Sequence, residues 1–158
     1  MMATIALGEL TDRIELGARL LGLDLGTRTI GLALSDVERR IATPLETIRR
    51  TKFQKDADAL LALCAKFDVG GLVIGLPLNM DASEGPRAQA TRAFAGNLAK
   101  RTDLPISFWD ERLTTVAAER ALLAADTSRR RRAVLIDKVA AAFILQGALD
   151  RLNTSAKA

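Results

Sequence analysis

The sequence predicts an α/β fold on a mixed sheet, and three observations carry that prediction. Between residues 20 and 35, two apolar runs alternate strictly with small or polar residues, with only "GTR" between them, the pattern of an antiparallel hairpin. From residue 53 onward, stretches with helical spacing alternate with short apolar runs, which implies strands joined through helices. The chain has 158 residues and no internal repeat, enough for one domain with a sizeable core. A three-strand meander followed by alternating units gives one sheet with helices on both faces.

Residues 1–18 read as an N-terminal extension, interrupted by Glu9, Asp12, Arg13 and Glu15; residues 19–152 form the domain. In "LLGLDLG", Leu21, Leu23 and Leu25 share one face, and Gly22, Asp24 and Gly26 share the other. "TIGLALS" repeats the pattern, with Ile30, Leu32 and Leu34 opposite Gly31, Ala33 and Ser35. "IATPLETI" is a third strand, which Pro44 assigns to an edge or an irregular position. "FQKDADALLALCAKF" has helical spacing, and "GGLVIGLP" is a short strand buried on both faces. "PRAQATRAFAGNLAKR" is a second helix, with Pro86 suited to its first turn. "PISFWDE" is a strand, "TTVAAERALLAA" a third helix, and "DTSRRRR" a polar, basic connection. "AVLIDKVAAAFILQGALDRL" is a long final helix, and residues 153–158 are a frayed tail.

Composition excludes several chemistries. The chain has no His, which removes Ser-His-Asp and Cys-His catalysis and any His-ligated metal. Cys64 is the only Cys, in step with Leu60, Leu61 and Phe67, so it reads as a core thiol. Polar chemistry therefore rests on carboxylates, hydroxyls, Lys, Arg, backbone or a bound cation. The 23 Lys and Arg against 19 Asp and Glu give +4, a mild bias towards anionic partners. No secretory signal and no membrane-spanning run is seen, so the expected setting is the reduced cytoplasm, without membrane association.

Three acids stand out against this background. Asp24 lies within an apolar, glycine-rich strand, where an unpartnered charge is costly. Its alternative is a turn acid bonding the backbone of "GTR". Asp137 falls on the apolar stripe Val134, Asp137, Ala141, Ile144 and Ala148 of the final helix, where a buried pair with an arginine is the competing reading. In "WDERLTT", Asp110 and Glu111 end a strand and point to opposite faces, so one of them belongs to any cluster. The local alternative there is an acid paired with Arg112 while Thr114 or Thr115 caps a helix.

Two basic regions accompany the acids. "GLPLNMDASEGPRA" runs from a buried strand to a helix start, where backbone N–H groups favour an anion and Arg87 and Arg92 add charge. Arg129, Arg130, Arg131 and Arg132 form the one concentrated charge, either a solvated helix start or a set of phosphate contacts. With no Tyr and one Trp, backbone contact is favoured over base stacking.

Together, "GLDLGTRTIGLALSD", "VIGLPLNMDASEGPRA", "DERLTT" and "RRRRAVLIDKVAAAFILQ" resemble the YqgF/RuvX family of Holliday-junction resolvases or pre-16S rRNA nucleases, from about Leu20 to Leu152. The resemblance implies a ribonuclease H-like fold and a site of acids binding Mg²⁺ or Mn²⁺. By that resemblance Asp24, Glu111 and Asp137 are the catalytic and metal-ligating acids, with Asp110 the second choice in its motif. Arg28, Asn79, Arg87, Arg112 and Arg129 to Arg132 are the expected substrate contacts. A metal-dependent nuclease is then expected, with precursor ribosomal RNA the favoured partner, branched DNA second, and ribosomal particles a further partner.

Two departures from the family pattern are Thr29, where many members carry a basic residue, and Ala82, where Gly is usual. "LDLGTRTIG" also resembles the phosphate loop of actin-like ATPases and sugar kinases. Those need two such domains around a nucleotide and this chain has room for one, so no nucleotide cofactor is expected. The remaining rival is a non-catalytic nucleic-acid-binding or ribosome-assembly factor that keeps the fold.

Overall fold

The computed structural model describes residues 4–113 and 129–156, with the side chains of the last helix described from Lys138 to Thr154. Each alternating run is a strand: β1 (Arg19–Leu25), β2 (Thr29–Ser35), β3 (Ala42–Arg49), β4 (Val69–Leu76) and β5 (Ile106–Asp110). Helices α2 (Phe53–Lys66), α3 (Pro86–Ala99) and α4 (Arg129–Ala156) follow the predicted spacing. The sheet order is β3-β2-β1-β4-β5, with β1–β2 and β2–β3 antiparallel and β1–β4 and β4–β5 parallel. This is the mixed ribonuclease H-like sheet expected. Pro44 lies on the edge strand β3, where the register slips between Leu32 and Ala33, a position that tolerates its missing N–H.

The two faces of the sheet are divided as the alternation requires. Leu21, Leu23, Leu25, Ile30, Leu32, Leu72 and Ile74 pack with Leu60, Cys64, Phe94 and Leu98 of α2 and α3. Leu20, Ala33, Val73 and Trp109 pack with Ala141, Ile144, Leu145 and Ala148 of α4. The glycines on the second face let α4 approach closely. A Cβ on Gly22 would lie 2.7 Å from Leu145 Cβ and 3.1 Å from the Ala141 carbonyl.

One expectation is extended and two are corrected. Residues of the N-terminal extension form the short helix α1 (Leu7–Leu10) and a 3₁₀ turn (Thr11–Arg13), and they pack onto the domain. Leu10 is fully buried and Ile14 nearly so, and both rest against Gly71, which has no side chain to exclude them. The Ile5 N–H donates to the Ile106 carbonyl at 2.8 Å and the Ser107 hydroxyl donates to the Ile5 carbonyl at 2.9 Å. The segment thus satisfies part of the open edge of β5.

The four arginines are the first turn of α4 and not a connecting segment, in keeping with arginine's high helix propensity. At its other end α4 continues to Ala156, through residues expected as tail. Leu152 is buried there and the Asn153 amide donates to the Arg39 carbonyl at 3.1 Å. The predicted helix at 114–125 lies outside the described residues. Among the described residues, no helix is long and apolar enough to cross a membrane.

Candidate functional site

Asp24 is on the α4 face near the end of β1, and only 4% of its surface is exposed. The register of β1 with β4 runs through Leu23–Ile74, so Asp24 and Gly75 come next. Gly75 in turn pairs with Trp109 of β5. Glu111, just past β5, folds back over that glycine, with Oε1 2.7 Å from where a Gly75 Cβ would sit. The Glu111 carboxylate therefore occupies space that only glycine leaves open, one strand spacing (about 4.8 Å) from β1. Two acids 87 residues apart in sequence (111 − 24) are thus carried at the same end of the sheet.

Asp110 does something else. It grips Arg112 with both oxygens, at 2.6 Å to Nη2 and 3.0 and 3.1 Å to Nε. The hydrogen bond from Arg112, opposed in part by desolvation, holds the Asp110 carboxyl below the usual range. Arg112 also donates to the Met80 carbonyl at 3.2 Å, tying the end of β5 to the loop after β4. The local pairing considered for this motif is thus the geometry of Asp110, and it leaves Glu111 to face the glycine.

Asp137 lies in α4 on a backbone whose direction is clear. Ala141 and Leu145 lie over Gly22, while Gln146 accepts from the Ala42 N–H and Asn153 reaches Arg39. Moving towards its N-terminus, α4 therefore advances along β1 in the direction of Asp24. Four helical residues rise about 6 Å, and two strand residues advance about 6.6 Å. One turn before Ala141, position 137 therefore lies on the Asp24 side of Gly22. Among the described residues no group of three acidic, Cys or His side chains stands together; the side chain of Asp137 is outside that description, as are those of Arg129 to Arg132.

The loop from Asn79 to Gly85 is held by its own side chains. Asn79 donates to Ser83 Oγ at 3.0 Å, while Asp81 accepts from the Ser83 N–H and hydroxyl. Those bonds from Ser83 keep the Asp81 carboxyl low. Ala82 sits at φ +72°, the left-handed conformation that glycine adopts freely. Arg92 is engaged with Glu84 at 2.6 Å and with the Phe108 ring, so it adds no free charge to the helix start. Arg28 is exposed in the β1–β2 turn, next to a small pocket that Arg87 and Arg50 line.

Two residues of this region were not anticipated. Gly75 lay within an apolar run whose burial was legible but whose close contact was not. Arg50 ends "ETIRR", and only the pairing of its N–H with the Arg28 carbonyl brings it to the β1–β2 turn. A surface cleft of about 830 Å³ lies by the N-terminal segment and the 102–105 turn, at the far end of the sheet from Asp24, and carries both signs of charge.

The RuvX family profile, described as Holliday junction resolvase, matches residues 18–151. A protein of Beijerinckia indica named "Putative pre-16S rRNA nuclease" is 64% identical over 153 residues, covering 96% of this chain and 93% of its own. Proteins of the same name from Paramagnetospirillum magneticum and Rhodobacter capsulatus are 61% and 68% identical, covering 94% and 84% of this chain and 96% and 84% of their own. Among solved structures, Thermus thermophilus RuvC superposes with a TM-score of 0.53 at 15% identity, over 86% of this chain and 97% of that one. A complex of the same protein with a Holliday junction superposes at 0.52 and 14%, over 87% and 97%. At that identity the likeness speaks for the fold, while the profile and the close relatives speak for the family. The chain is a member of the RuvX family.

Proposed function

We propose that this protein is a divalent-metal-dependent nuclease, a hydrolase of phosphodiester bonds, whose favoured substrate is the 5′ region of precursor 16S ribosomal RNA. What supports the reading is the seating of Glu111 over the bare backbone of Gly75, the β4 residue after the Leu23–Ile74 pair and so next to Asp24. The donor set fits Mg²⁺ or Mn²⁺, since all three candidates are hard carboxylate oxygens and no His or thiol competes. A divalent cation held there supplies Lewis acidity towards a phosphate and an attacking water.

The chain's own residues then divide the work. Asp24, Glu111 and Asp137 hold charge at the reacting phosphate, and the buried position of Asp24 limits access of bulk water. Arg28 and Arg87 flank the end of β1 and neutralise neighbouring phosphates, while Arg112 and Asn79 set the shape of the loop beside them. Arg129 to Arg132 stand at the N-terminus of α4, where cations oppose the helix dipole by typically 0.3–1 kcal/mol each. A polyanionic substrate relieves that repulsion and accounts for four arginines there.

Precursor ribosomal RNA is favoured because relatives above 60% identity over most of both chains bear that name. A small-subunit precursor particle and a cytoplasmic setting follow from it. A branched DNA junction is the second reading, favoured by the description of the family profile. The test is a cleavage panel with Mg²⁺ or Mn²⁺: 5′-extended 16S precursor, free and in small-subunit particles, against a four-way DNA junction. Cuts confined to the precursor's 5′ leader support the RNA reading. Preferential junction cleavage replaces it with the second, and binding without cleavage of either rejects the nuclease.

A further inference from the structure

The turn after Asp24 closes one side of a second pocket, on the α3 face of the sheet, lined by Gly26, Thr27, Arg50, Arg87, Thr91 and Phe94 among others. Arg50 is fixed within it. Its Nη1 donates to the Gly26 carbonyl at 2.6 Å, and its guanidinium carbon stands 5.7 Å from the centroid of Phe94. Arg87, in the first turn of α3, lines the same pocket, and no carboxylate does. Arg40, Arg92, Arg101 and Arg112 each have an acidic partner; among the described residues Arg50 and Arg87 have none.

Two guanidiniums facing one concavity without an acid repel each other, and an anion between them reverses the sign of that interaction. Arg50 spends one of its five donors on Gly26, and a planar fork suits phosphate. The Thr91 hydroxyl donates to the Arg87 carbonyl at 2.9 Å, which leaves Thr27 as the free hydroxyl at the rim. The pocket holds about 70 Å³, roughly twice the share of one water in the liquid and well below the ~300 Å³ of sites for drug-sized ligands. It admits phosphate oxygens and excludes a base or a nucleoside.

We propose that Arg50 and Arg87 clamp one non-scissile phosphodiester of the bound strand, where it passes from the acids over the β1–β2 turn to the α3 face. The proposal rests on the nuclease reading for the presence of that strand, and binding measured without cleavage separates the two. Affinity for a fluorescent single-stranded RNA, read by anisotropy in EDTA across a salt series, gives the number of phosphates neutralised. Because both arginines serve one phosphate, R50Q/R87Q lowers the slope of log K against log salt by about 0.7. R87Q alone, which breaks no bond to the turn, weakens binding with the melting temperature unchanged.

K100Q removes the same charge from the far end of α3, about 20 Å away, beyond the Debye length of about 10 Å at 0.1 M salt. It leaves the slope as it was. A double-variant slope equal to wild type overturns the clamp, and a loss near 1.4 overturns it in favour of two separate phosphates. Stabilisation of wild type by inorganic phosphate, with the RNA slope unmoved by R50Q/R87Q, overturns it in favour of a free-anion site. A lost slope in a protein that cleaves nothing supports the clamp and sinks the nuclease reading alone.

Discussion

Replacing Gly75 by Ala separates stability from site geometry. The new Cβ would stand 2.6 Å from Ile144 Cδ1, 3.2 Å from Ile144 Cγ1 and 2.7 Å from Glu111 Oε1. Ordinary contact begins at about 3.5 Å, so the carboxylate oxygen must retreat by roughly 0.8 Å. Overpacking of this kind costs about 1–3 kcal/mol. For a domain of this size that lowers Tm by about 2–12 °C, at 2–4 °C per kcal/mol. A displacement near 1 Å at a reacting centre costs about 10²-fold in rate, so cleavage measured well below Tm falls on that order.

Gly70→Ala is the matched control. Its Cβ meets Ala18 Cβ at 2.8 Å and Ile14 Cγ2 at 3.0 Å on the same strand, five residues or about 16 Å away. It should lower Tm comparably and leave cleavage and Mn²⁺ affinity intact. Equal cleavage and Mn²⁺ affinity in the two variants would refute the claim that Gly75 seats Glu111.

Other consequences are local. Ala82→Gly relieves a left-handed residue that costs about 1–2 kcal/mol, less the entropy glycine adds to the unfolded chain, and should raise Tm by a few degrees; a fall would show that the turn needs its methyl group. The Asp110 carboxyl is depressed by Arg112, so its stabilisation is present above the unfolded value of about 3.9 and lost as pH falls through the lower folded value. Wild type should therefore exceed Asp110→Asn in Tm at neutral pH and converge with it in acid, and a gap that widens in acid would reverse the assignment. Cys64 is buried against α2's neighbours and its thiol is pushed up to about 12 by desolvation, so a thiol reagent should label it only after unfolding.

Much of this was legible because a period of two leaves no freedom about faces. Leu21, Leu23 and Leu25 had to share a side, which sent Asp24 to the face of the glycines. The stripe through Ala141, Ile144 and Ala148 fixed how α4 lies on the sheet by the same logic. What escaped depends on tertiary placement. Leu10 and Ile14 are separated by charged residues, so no local period marks them as core; the vacant surface of Gly71 and the open edge of β5 recruit them. Nothing local in the sequence sets Arg50 apart, since only strand pairing carries it to the turn. The arginine run read either as a basic connection or as a solvated helix start, and helix propensity favours the second, which is its place in α4.

The most direct test of the shared acidic site is single-turnover cleavage of 5′-extended 16S precursor RNA by Asp24→Asn, Glu111→Gln and Asp137→Asn, with product 5′ ends mapped and folding checked by circular dichroism. If the three acids hold one metal-dependent centre, each variant binds the RNA, keeps its fold and loses cleavage, and wild type loses cleavage in EDTA. Cleavage that survives in Asp137→Asn, or in EDTA, at the wild-type rate would contradict it.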